Sequence, residues 1–344
     1  MTDSNFNQRR QSRWVRWLVS LSCLLLIAGV TRVMQDTQRQ NRIIAHLERK
    51  EFVVDTIPLI EDPGLGWVDL NWIPMPCRVV TVSDYAGTCD DADLRLIGEL
   101  FALTWSNLHE ARACDLDVTS TDITNAGLQN LRDCSAIRRL AIGSDQITDV
   151  GIAHLARLTN LEELDLRGCD ITDRGLIHLR QLTSITHLDL DELSITDAGL
   201  DRLHDLSNLK HLSLGYTGVT DAGLEKLASL SRLEYLSLSG TKISNSGLVH
   251  LTRLTNLSAL SLTNTKVTNA ALIDIRKLGK LENLFLERTL VTDSGLLVLA
   301  DVKTLKYALF PSPGVSAAAL NRLKVALPGL RVTPIYLNCW GPPP

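Results

Sequence analysis

The chain has 344 residues, a formal net charge of -4 and a sequence pI near 6.1. This charge balance argues against a dedicated nucleic-acid-binding protein, which would be expected to carry a basic stripe. The length alone would suggest about two ordinary domains, but the internal repeats described below set that expectation aside, because a repeat array grows without one closed core.

The N-terminal region has the pattern of a targeting segment. Residues 1–16 are polar and contain four arginines, and we interpret them as a short tail. The uncharged run WLVSLSCLLLIAGV follows from Trp17, and Thr31–Met34 can extend it to the length of a spanning helix, about 17–25 residues. No small-x-small cleavage site follows, so residues 17–34 are predicted to form an uncleaved transmembrane anchor, with signal cleavage and secretion as the alternative.

The charges that flank this run set the predicted orientation. Four arginines precede it and three follow it, so the positive-inside rule favours a cytoplasmic N-terminus and a repeat domain outside the cytoplasm. Residues 35–51 are polar with a narrow apolar stripe, which predicts a helical stalk. Residues 52–78 are rich in proline, glycine and tryptophan, which suits an N-terminal cap over the first repeat.

Residues 79–338 are organised around a 24-residue repeat with degenerate ends. The clearest copy is ITDVGIAHLARLTNLEELDLRGCD, which begins at Ile147, and the next copies begin at Ile171 and Ile195. Leucines recur at fixed offsets in each copy. A period of this length predicts a solenoid in which each coil buries its apolar side against its neighbours.

Each copy is predicted to contain one strand and one short helix. Leu164 and Leu166 alternate with polar residues, as expected for a strand with one buried face. Asp149 precedes an amphipathic segment and is predicted to be its helix N-cap. The position held by Cys169 is threonine in most later copies, and a small polar group there can satisfy the backbone of a turn inside the stack. Glycines such as Gly151 are expected to let adjacent helices approach closely.

The run L-x-x-L-x-L-x-x-[CT]-x-I-T-D-x-G-L resembles the cysteine-containing type of leucine-rich repeat. This type is found in F-box substrate receptors and, in the threonine-rich form seen here, in membrane-anchored bacterial proteins of the planctomycete kind. The resemblance implies an α/β horseshoe with a parallel concave sheet and short convex helices. With the N-terminal segment added, the predicted fold is this solenoid preceded by a transmembrane helix.

In the C-terminal copies, prolines interrupt the repeat pattern. Residues 339–344 are expected to be a disordered tail. Cys23, Cys134 and Cys169 are interpreted as packing residues. Cys77, Cys89, Cys114 and Cys339 have no assigned pairing, and a Cys77–Cys89 or Cys89–Cys114 bridge is the hypothesis for an exported cap.

No catalytic signature was found, and the chain is therefore predicted not to be an enzyme and to need no cofactor. Phosphate-binding, nucleophile-elbow, zinc-protease and dinucleotide-binding motifs are all missing from the sequence. A CxxC pair is missing too, and a metal held by the neighbouring histidines and aspartates is disfavoured because flat strands rarely make imidazoles converge. His154, His178 and His250 share one repeat offset and are interpreted as a solvated row on the convex face.

Strand alternation predicts which side chains line the concave face. Two features emerge: an acidic patch beside two histidines, and aromatic anchors of the kind enriched at interface hot spots. The predicted partner-binding residues are Glu163, Asp165, Arg167, His187, Asp189, Asp191, His211, Tyr235, Phe285 and Tyr307.

These observations predict a membrane-tethered recognition protein whose repeats bind a protein or peptide ligand of basic or mixed charge without catalysis. The ligand is not expected to be nucleic acid, and contact with the membrane is expected through residues 17–34. The alternative is a soluble adaptor, similar to the F-box receptors, that presents substrates to a ubiquitin ligase. No F-box-like domain precedes the repeats, which counts against this alternative.

Overall fold

A computed structural model of the chain describes residues 35–58, 77–84, 86–103, 114–119 and 122–332. In these ranges, twelve strands form one sheet and lie side by side in the order in which they occur in the sequence. The first two strands are antiparallel and all later neighbours are parallel. This is the solenoid-like α/β arrangement that the repeat period predicts.

Most coils contribute one three-residue strand. The strands are β1 Val53–Pro58, β2 Cys77–Ser83, β3 Cys114–Thr119, β4 Ile137–Gly143, β5 Glu163–Asp165, β6 His187–Asp189, β7 His211–Ser213, β8 Tyr235–Ser237, β9 Ala259–Ser261, β10 Asn283–Phe285, β11 Tyr307–Leu309 and β12 Arg331–Val332.

Short helices run along the side of the coils that lies opposite the sheet. They are α1 over residues 35–49, α2 Asp91–Leu103, α3 Asn125–Leu128, α4 Asp149–Leu155, α5 Asp197–Leu200, α6 Asp221–Leu224, α7 Leu248–Leu251, α8 Leu272–Ile275, α9 Asp293–Leu299 and α10 Ala317–Ala326. Short 3-10 turns extend several of them, and in the coil after α4 a 3-10 helix, Gly175–Gln181, stands alone.

The repeated leucines form one continuous core between sheet and helices. Leu164 is 2% exposed and Leu166 is fully buried, whereas Glu163 and Asp165 beside them are partly exposed. The predicted strand alternation is therefore confirmed. Because burying one leucine side chain contributes about 1.5–3 kcal/mol, stacking of the coils is the main source of stability for strands this short.

A ladder of aspartate and asparagine side chains joins each coil to the next. In the copy that begins at Ile147, Asp149 accepts hydrogen bonds from the backbone N–H of Thr172 at 2.8 Å and from the hydroxyl of Thr172 at 2.7 Å. The backbone N–H bond recurs through the described coils, and where the member is asparagine its side-chain N–H donates to the hydroxyl instead. We call this series of links the Asx ladder. Its members are Asp91, Asn125, Asp149, Asp173, Asp197, Asp221, Asn245, Asn269 and Asp293.

The Asx ladder corrects the prediction that Asp149 caps its own helix. Thr148 is the N-cap, because its backbone is extended and its side chain accepts from the N–H of Val150. Asp149 is the first helical residue, and its carboxylate instead reaches the following coil. The sequence pattern of a single coil could not separate these roles, because threonine and aspartate are both good N-cap residues.

The turns after strands β7 to β10 each depend on a buried threonine. Thr217, Thr241, Thr265 and Thr289 each donate a hydroxyl hydrogen bond of 2.6 Å to the carbonyl oxygen three residues earlier. The predicted role of this position, to satisfy turn backbone inside the stack, is confirmed for these coils. In the earlier coil, Cys169 donates from its thiol to the carbonyl oxygen of Ile142 at 3.6 Å.

The N-terminal helix packs onto the repeats, although the sequence predicted a stalk that separates them from a membrane. Leu47 of α1 is fully buried and Ile43 is 5% exposed. Lys50, just beyond α1, forms an ion pair with the buried carboxylate of Asp93 in α2. The narrow apolar stripe of α1 therefore covers the first coil, and β1 with β2 extends the sheet beside it.

The predictions of a transmembrane helix and of a single-pass membrane location are corrected. Among the described residues, no helix has the length and apolar character needed to cross a membrane. The architecture that the structure supports is the repeat solenoid without that element. Residues 1–34, with the predicted anchor at 17–34, lie outside the described ranges, as do residues 333–344 with the predicted tail.

The cysteine hypothesis is corrected at Cys89. Cys89 is a buried free thiol, so it forms neither the Cys77–Cys89 nor the Cys89–Cys114 bridge. Cys134 and Cys169 are buried free thiols too, in agreement with their interpretation as packing residues. Burial raises the pKa of the Cys134 thiol to about 12 and that of Cys169 to about 11, so both are protonated at neutral pH. Cys23 and Cys339 lie outside the described residues.

Candidate binding face

One face of the sheet is covered by helices, and the other, which we call the open face, carries partly exposed side chains. The register of the parallel strands aligns equivalent residues of successive coils. Glu163 lies beside His187, His187 beside His211 and His211 beside Tyr235. In the adjacent column, Asp165 lies beside Asp189. The 24-residue period therefore brings the central predicted site residues onto neighbouring strands.

An arginine, Arg167, lies in the middle of the predicted acidic patch. Arg167 contacts Asp165 at 2.6 Å and Asp189 at 3.3 Å. The hydrogen bond from Arg167 to Asp165 is the largest cause of the raised pKa of its guanidinium. The predicted patch is thus a network of alternating charges, because Arg167 bridges two strands.

A second arginine extends the same network toward the N-terminus. Arg139 contacts Asp115 at 3.2 Å and Glu163 at 3.0 Å. Asp115 and Asp117 of β3 lie beside Arg139 and Ala141 on the open face. The sequence did not single out these two aspartates, because β3 belongs to a degenerate coil that lacks the leucine spacing. We call Asp115, Asp117, Arg139, Glu163, Asp165, Arg167, Asp189 and Asp191 the charged cluster, in which six carboxylates face two guanidiniums.

The two innermost carboxylates of the charged cluster are partly desolvated. Burial raises the pKa of Asp189, and the neighbouring charge of Asp191 adds to this effect. Burial likewise raises the pKa of Asp191, which accepts a backbone hydrogen bond from Gly215. Because the pKa of each carboxyl group is raised, keeping Asp189 and Asp191 ionised in the folded chain costs free energy. A cation bound beside them would reduce this cost.

Three planar side chains stack along the open face next to the charged cluster. The ring centroids of His187 and His211 are 4.1 Å apart, with an interplanar angle of 19°. His211 and Tyr235 continue the stack at 5.7 Å and again 19°. Burial lowers the pKa of His211, and the positive charge of His187 lowers it further, so His211 favours the neutral form. We call these three residues the ring stack.

A separate aromatic pair lies toward the C-terminal end of the sheet. The ring centroids of Phe285 and Tyr307 are 5.8 Å apart, and the rings are tilted by 59°. Strand β9, with Ala259 and Ser261, lies between this pair and Tyr235. The ten predicted binding residues therefore form two groups on one face, and the structure does not bring them into a single contact cluster.

The ring stack and all members of the charged cluster except Arg167 and Asp191 line a shallow groove of about 510 Å³ that extends from β2 to β8. Thr81 lies at one end and Tyr235 at the other. Among the residues that the structure describes, no three histidine, cysteine, aspartate or glutamate side chains are placed to hold a metal ion. The chemistry that this face offers is ion pairing, hydrogen bonding and ring stacking.

Comparison with known proteins gives the type of repeat. A family model described as "Leucine Rich repeat" matches residues 157–179 and 205–228. The chain carries leucine-rich repeats. A search of curated proteins found no match.

Solved structures with a similar chain path include two leucine-rich repeat proteins of Listeria monocytogenes. An internalin (inlF) is 20% identical, with a TM-score of 0.46, and the match covers 70% of this chain and 76% of that chain. An internalin C2 (inlC2) is 29% identical, with a TM-score of 0.43, and the match covers 63% of this chain and 88% of that chain.

Leucine-rich repeats generally serve as interaction scaffolds that bind proteins. The finer resemblance, to F-box receptors and to membrane-anchored bacterial proteins, stays a prediction. Alternation along the chain placed Arg139 of β4 and Arg167, two residues after β5, on the same face as the carboxylates, but it did not predict their ion pairs.

Proposed function

We propose that the open face binds a basic segment of a protein or peptide ligand without catalysis. The observation that carries this proposal is the charged cluster, where six carboxylates and two guanidiniums lie on adjacent strands of one exposed face. The cluster therefore has a formal net charge of -4. Complementary charge of this kind attracts a cationic partner and fixes its orientation.

The internal ion pairs do not block such a ligand. Arg139 and Arg167 are more than half exposed, with 55% and 59% of their side-chain surface accessible. Exposed ion pairs contribute only about 0.2–1 kcal/mol, so cations of a ligand can replace the arginines at small cost. The partly desolvated Asp189 and Asp191 would then gain more from a bound cation than fully exposed carboxylates would.

The ring stack and the Phe285–Tyr307 pair supply the apolar part of the proposed interface. Aromatic side chains dominate the binding energy of many protein interfaces, especially where polar groups surround them. Tyr235 borders the charged cluster directly, because it closes the groove that the cluster lines. A ligand that spans both groups would place basic residues near β5 and β6 and apolar residues nearer β10 and β11.

An array of short immobilised peptides with graded charge tests this proposal. The variant Asp165→Asn, Asp189→Asn removes two charges from the charged cluster and keeps side-chain oxygens that can accept the same backbone N–H bonds. The matched control, Asp133→Asn, Asp301→Asn, removes two charges that pair with Arg157 and Arg276 outside the open face.

We expect the wild type and the control to bind basic peptides in a salt-sensitive manner and the cluster variant to bind them at least about tenfold more weakly, the equivalent of about 1.4 kcal/mol. Equal binding by the two variants would remove the charged cluster from the interface. Preference of the wild type for acidic peptides would reverse the proposed charge of the ligand.

A further inference from the structure

The ring stack on the open face ends abruptly at β9. His187, His211 and Tyr235 occupy one column in three successive coils, and the next residue of that column is Ala259. Beyond Ala259, the column continues with the side chains of Asn283 and Tyr307. One methyl group therefore stands where a fourth ring would continue the stack.

The gap has the width of one flat group. Neighbouring strands lie about 4.8 Å apart, so the strands that carry Tyr235 and Asn283 are about 9.6 Å apart. A flat group in van der Waals contact with both neighbours needs about 3.5–4.0 Å on each side. We call the space bounded by Tyr235, Ala259 and Asn283 the Ala259 slot. It accepts one planar side chain on the face of the Tyr235 ring that does not contact His211.

The electrostatic surroundings of the slot favour a cation. Burial raises the pKa of the Tyr235 phenol, and the negative charges of Asp191 and Asp189 raise it further, so both carboxylates act on this ring. On the other side, the carboxylate of Glu287 accepts a hydrogen bond of 2.9 Å from Thr263, which follows β9 in the coil of Ala259. A cationic planar group placed on Ala259 would thus stack on a ring that Asp189 and Asp191 already influence, with Glu287 in the next coil.

We propose that the Ala259 slot seats an arginine side chain of the basic partner, with its guanidinium stacked on Tyr235. This inference rests on the proposed function and names the chemistry of one residue of the ligand. A guanidinium is planar and cationic, and it stacks on tyrosine more readily than the compact ammonium group of lysine does. An uncharged aromatic ring would fit the width of the slot but would gain nothing from the carboxylates.

Two substitutions separate the slot from the rest of the face. Ala259→Leu fills the slot with a branched side chain and leaves the charged cluster unchanged. The matched control, Ala153→Leu, adds the same side chain at an exposed position of helix α4, away from the open face. Thermal unfolding of both variants verifies that each is folded at the temperature of the binding measurements.

The test is an NMR titration of the full chain, labelled with ¹³C-tyrosine, with three blocked tripeptides that carry arginine, lysine or phenylalanine at the centre. The Tyr235 signal is assigned by its disappearance in Tyr235→Phe. We expect the arginine peptide to shift this signal in the wild type and in Ala153→Leu but not in Ala259→Leu. The lysine peptide should require about threefold to fivefold higher concentration for half the shift.

Three results would overturn the slot: an unchanged response in Ala259→Leu, a phenylalanine peptide that is as effective as the arginine peptide, or a Tyr235 signal that none of the peptides shifts. Failure of the slot is distinguishable from failure of the proposed function. Asp165→Asn alone keeps Asp189 and Asp191, so the slot predicts that this variant still shows the Tyr235 response, whereas the proposed function predicts that it binds basic peptides more weakly on the array.

Discussion

A single aspartate illustrates how side chains fix the distance between coils. Asp197 accepts hydrogen bonds from the N–H of Thr220 at 2.8 Å and from its hydroxyl at 2.6 Å. The same carboxylate lies against Gly223 of the following coil. The recurrent glycine is therefore needed because the Asx ladder passes directly beside it, which is a more specific reason than the close approach of helices predicted from sequence.

At Gly223, alanine is expected to destabilise the chain by about 1–3 kcal/mol, because its Cβ would overlap Oδ1 of Asp197 and lie 2.9 Å from Cδ1 of Leu200. Gly279→Ala is the control, since no atom lies within 4 Å of its added Cβ. Urea unfolding of both variants measures the difference. Equal stabilities would contradict the packing argument, and nothing in the structure explains why Ala271 replaces the glycine in one coil.

The carboxylate of Asp221 makes acid stability a second test at the residue scale. Burial alone would raise the pKa of Asp221, but hydrogen bonds from Ser244, Ser246 and Gly247 together lower it. Because the pKa in the folded state is lowered, this group stabilises the fold above its unfolded value of about 3.9, and the contribution is lost as pH falls through the folded-state pKa.

Asp221→Asn should therefore be less stable than the wild type at neutral pH, by about 1 kcal/mol, and the difference should narrow as pH falls below about 4. Asparagine is compatible with this position because Asn245 and Asn269 form the same link in later coils. Thermal unfolding across pH checks the prediction, with Asp301→Asn as a control outside the ladder. A difference that stays constant with pH would show that the hydrogen bonds do not depend on the charge.

At the scale of one element, the turn after each of strands β5 to β10 contains a residue in the left-handed conformation. Gly168, Glu192, Tyr216, Gly240, Asn264 and Arg288 follow at 24-residue steps, and all have positive φ, between 53° and 79°. A left-handed conformation costs a residue with a Cβ about 1–2 kcal/mol, whereas glycine adopts it readily. The strain at Glu192, Tyr216 and Arg288 is stored in the turns that border the open face.

Arg288→Gly is expected to stabilise the chain by about 0.5–1 kcal/mol, because the φ of Arg288 is 53° and glycine removes the steric cost. Gly240→Ala should do the opposite, since a Cβ there would lie 2.5 Å from Cδ1 of Tyr216 and would be strained at a φ of 67°. Denaturant unfolding of the two variants shows whether each substitution raises or lowers the free energy of unfolding. Destabilisation by Arg288→Gly would mean that its side chain makes contacts worth more than the strain.

At the scale of the whole molecule, the 24-residue period determines both the fold and which side chains lie on the open face. The sequence predicted the strands, the buried leucines and the register that aligns Glu163 with His187, because a fixed step leaves little freedom once the first coil is placed. It could not predict that Arg167 bridges Asp165 and Asp189, since the direction of a long exposed side chain is a rotamer choice and not a periodic property. The packing of α1 was missed because its apolar stripe is as narrow as that of a free amphipathic stalk.

Removal of one coil tests this modularity. Deletion of residues 219–242 joins equivalent positions of two coils, so we expect a chain that still unfolds cooperatively, with a smaller denaturant m-value because less surface is buried. Deletion of residues 219–230 removes half a coil and should abolish the cooperative transition. Circular dichroism during urea unfolding reports both outcomes. A half-coil deletion that folds as well as the whole-coil deletion would contradict the stacked-coil account.

Histidine footprinting with a bound ligand tests most directly whether the open face is the binding surface. Diethyl pyrocarbonate modifies exposed imidazoles, and the chain provides an internal control, because His187 and His211 lie on the open face while His154 and His250 lie on helices α4 and α7. With the tightest basic peptide from the array bound, mass spectrometry should show protection of His187 and His211 and unchanged modification of the helical pair. Protection of His154 and His250 with unchanged modification of His187 and His211 would contradict the account.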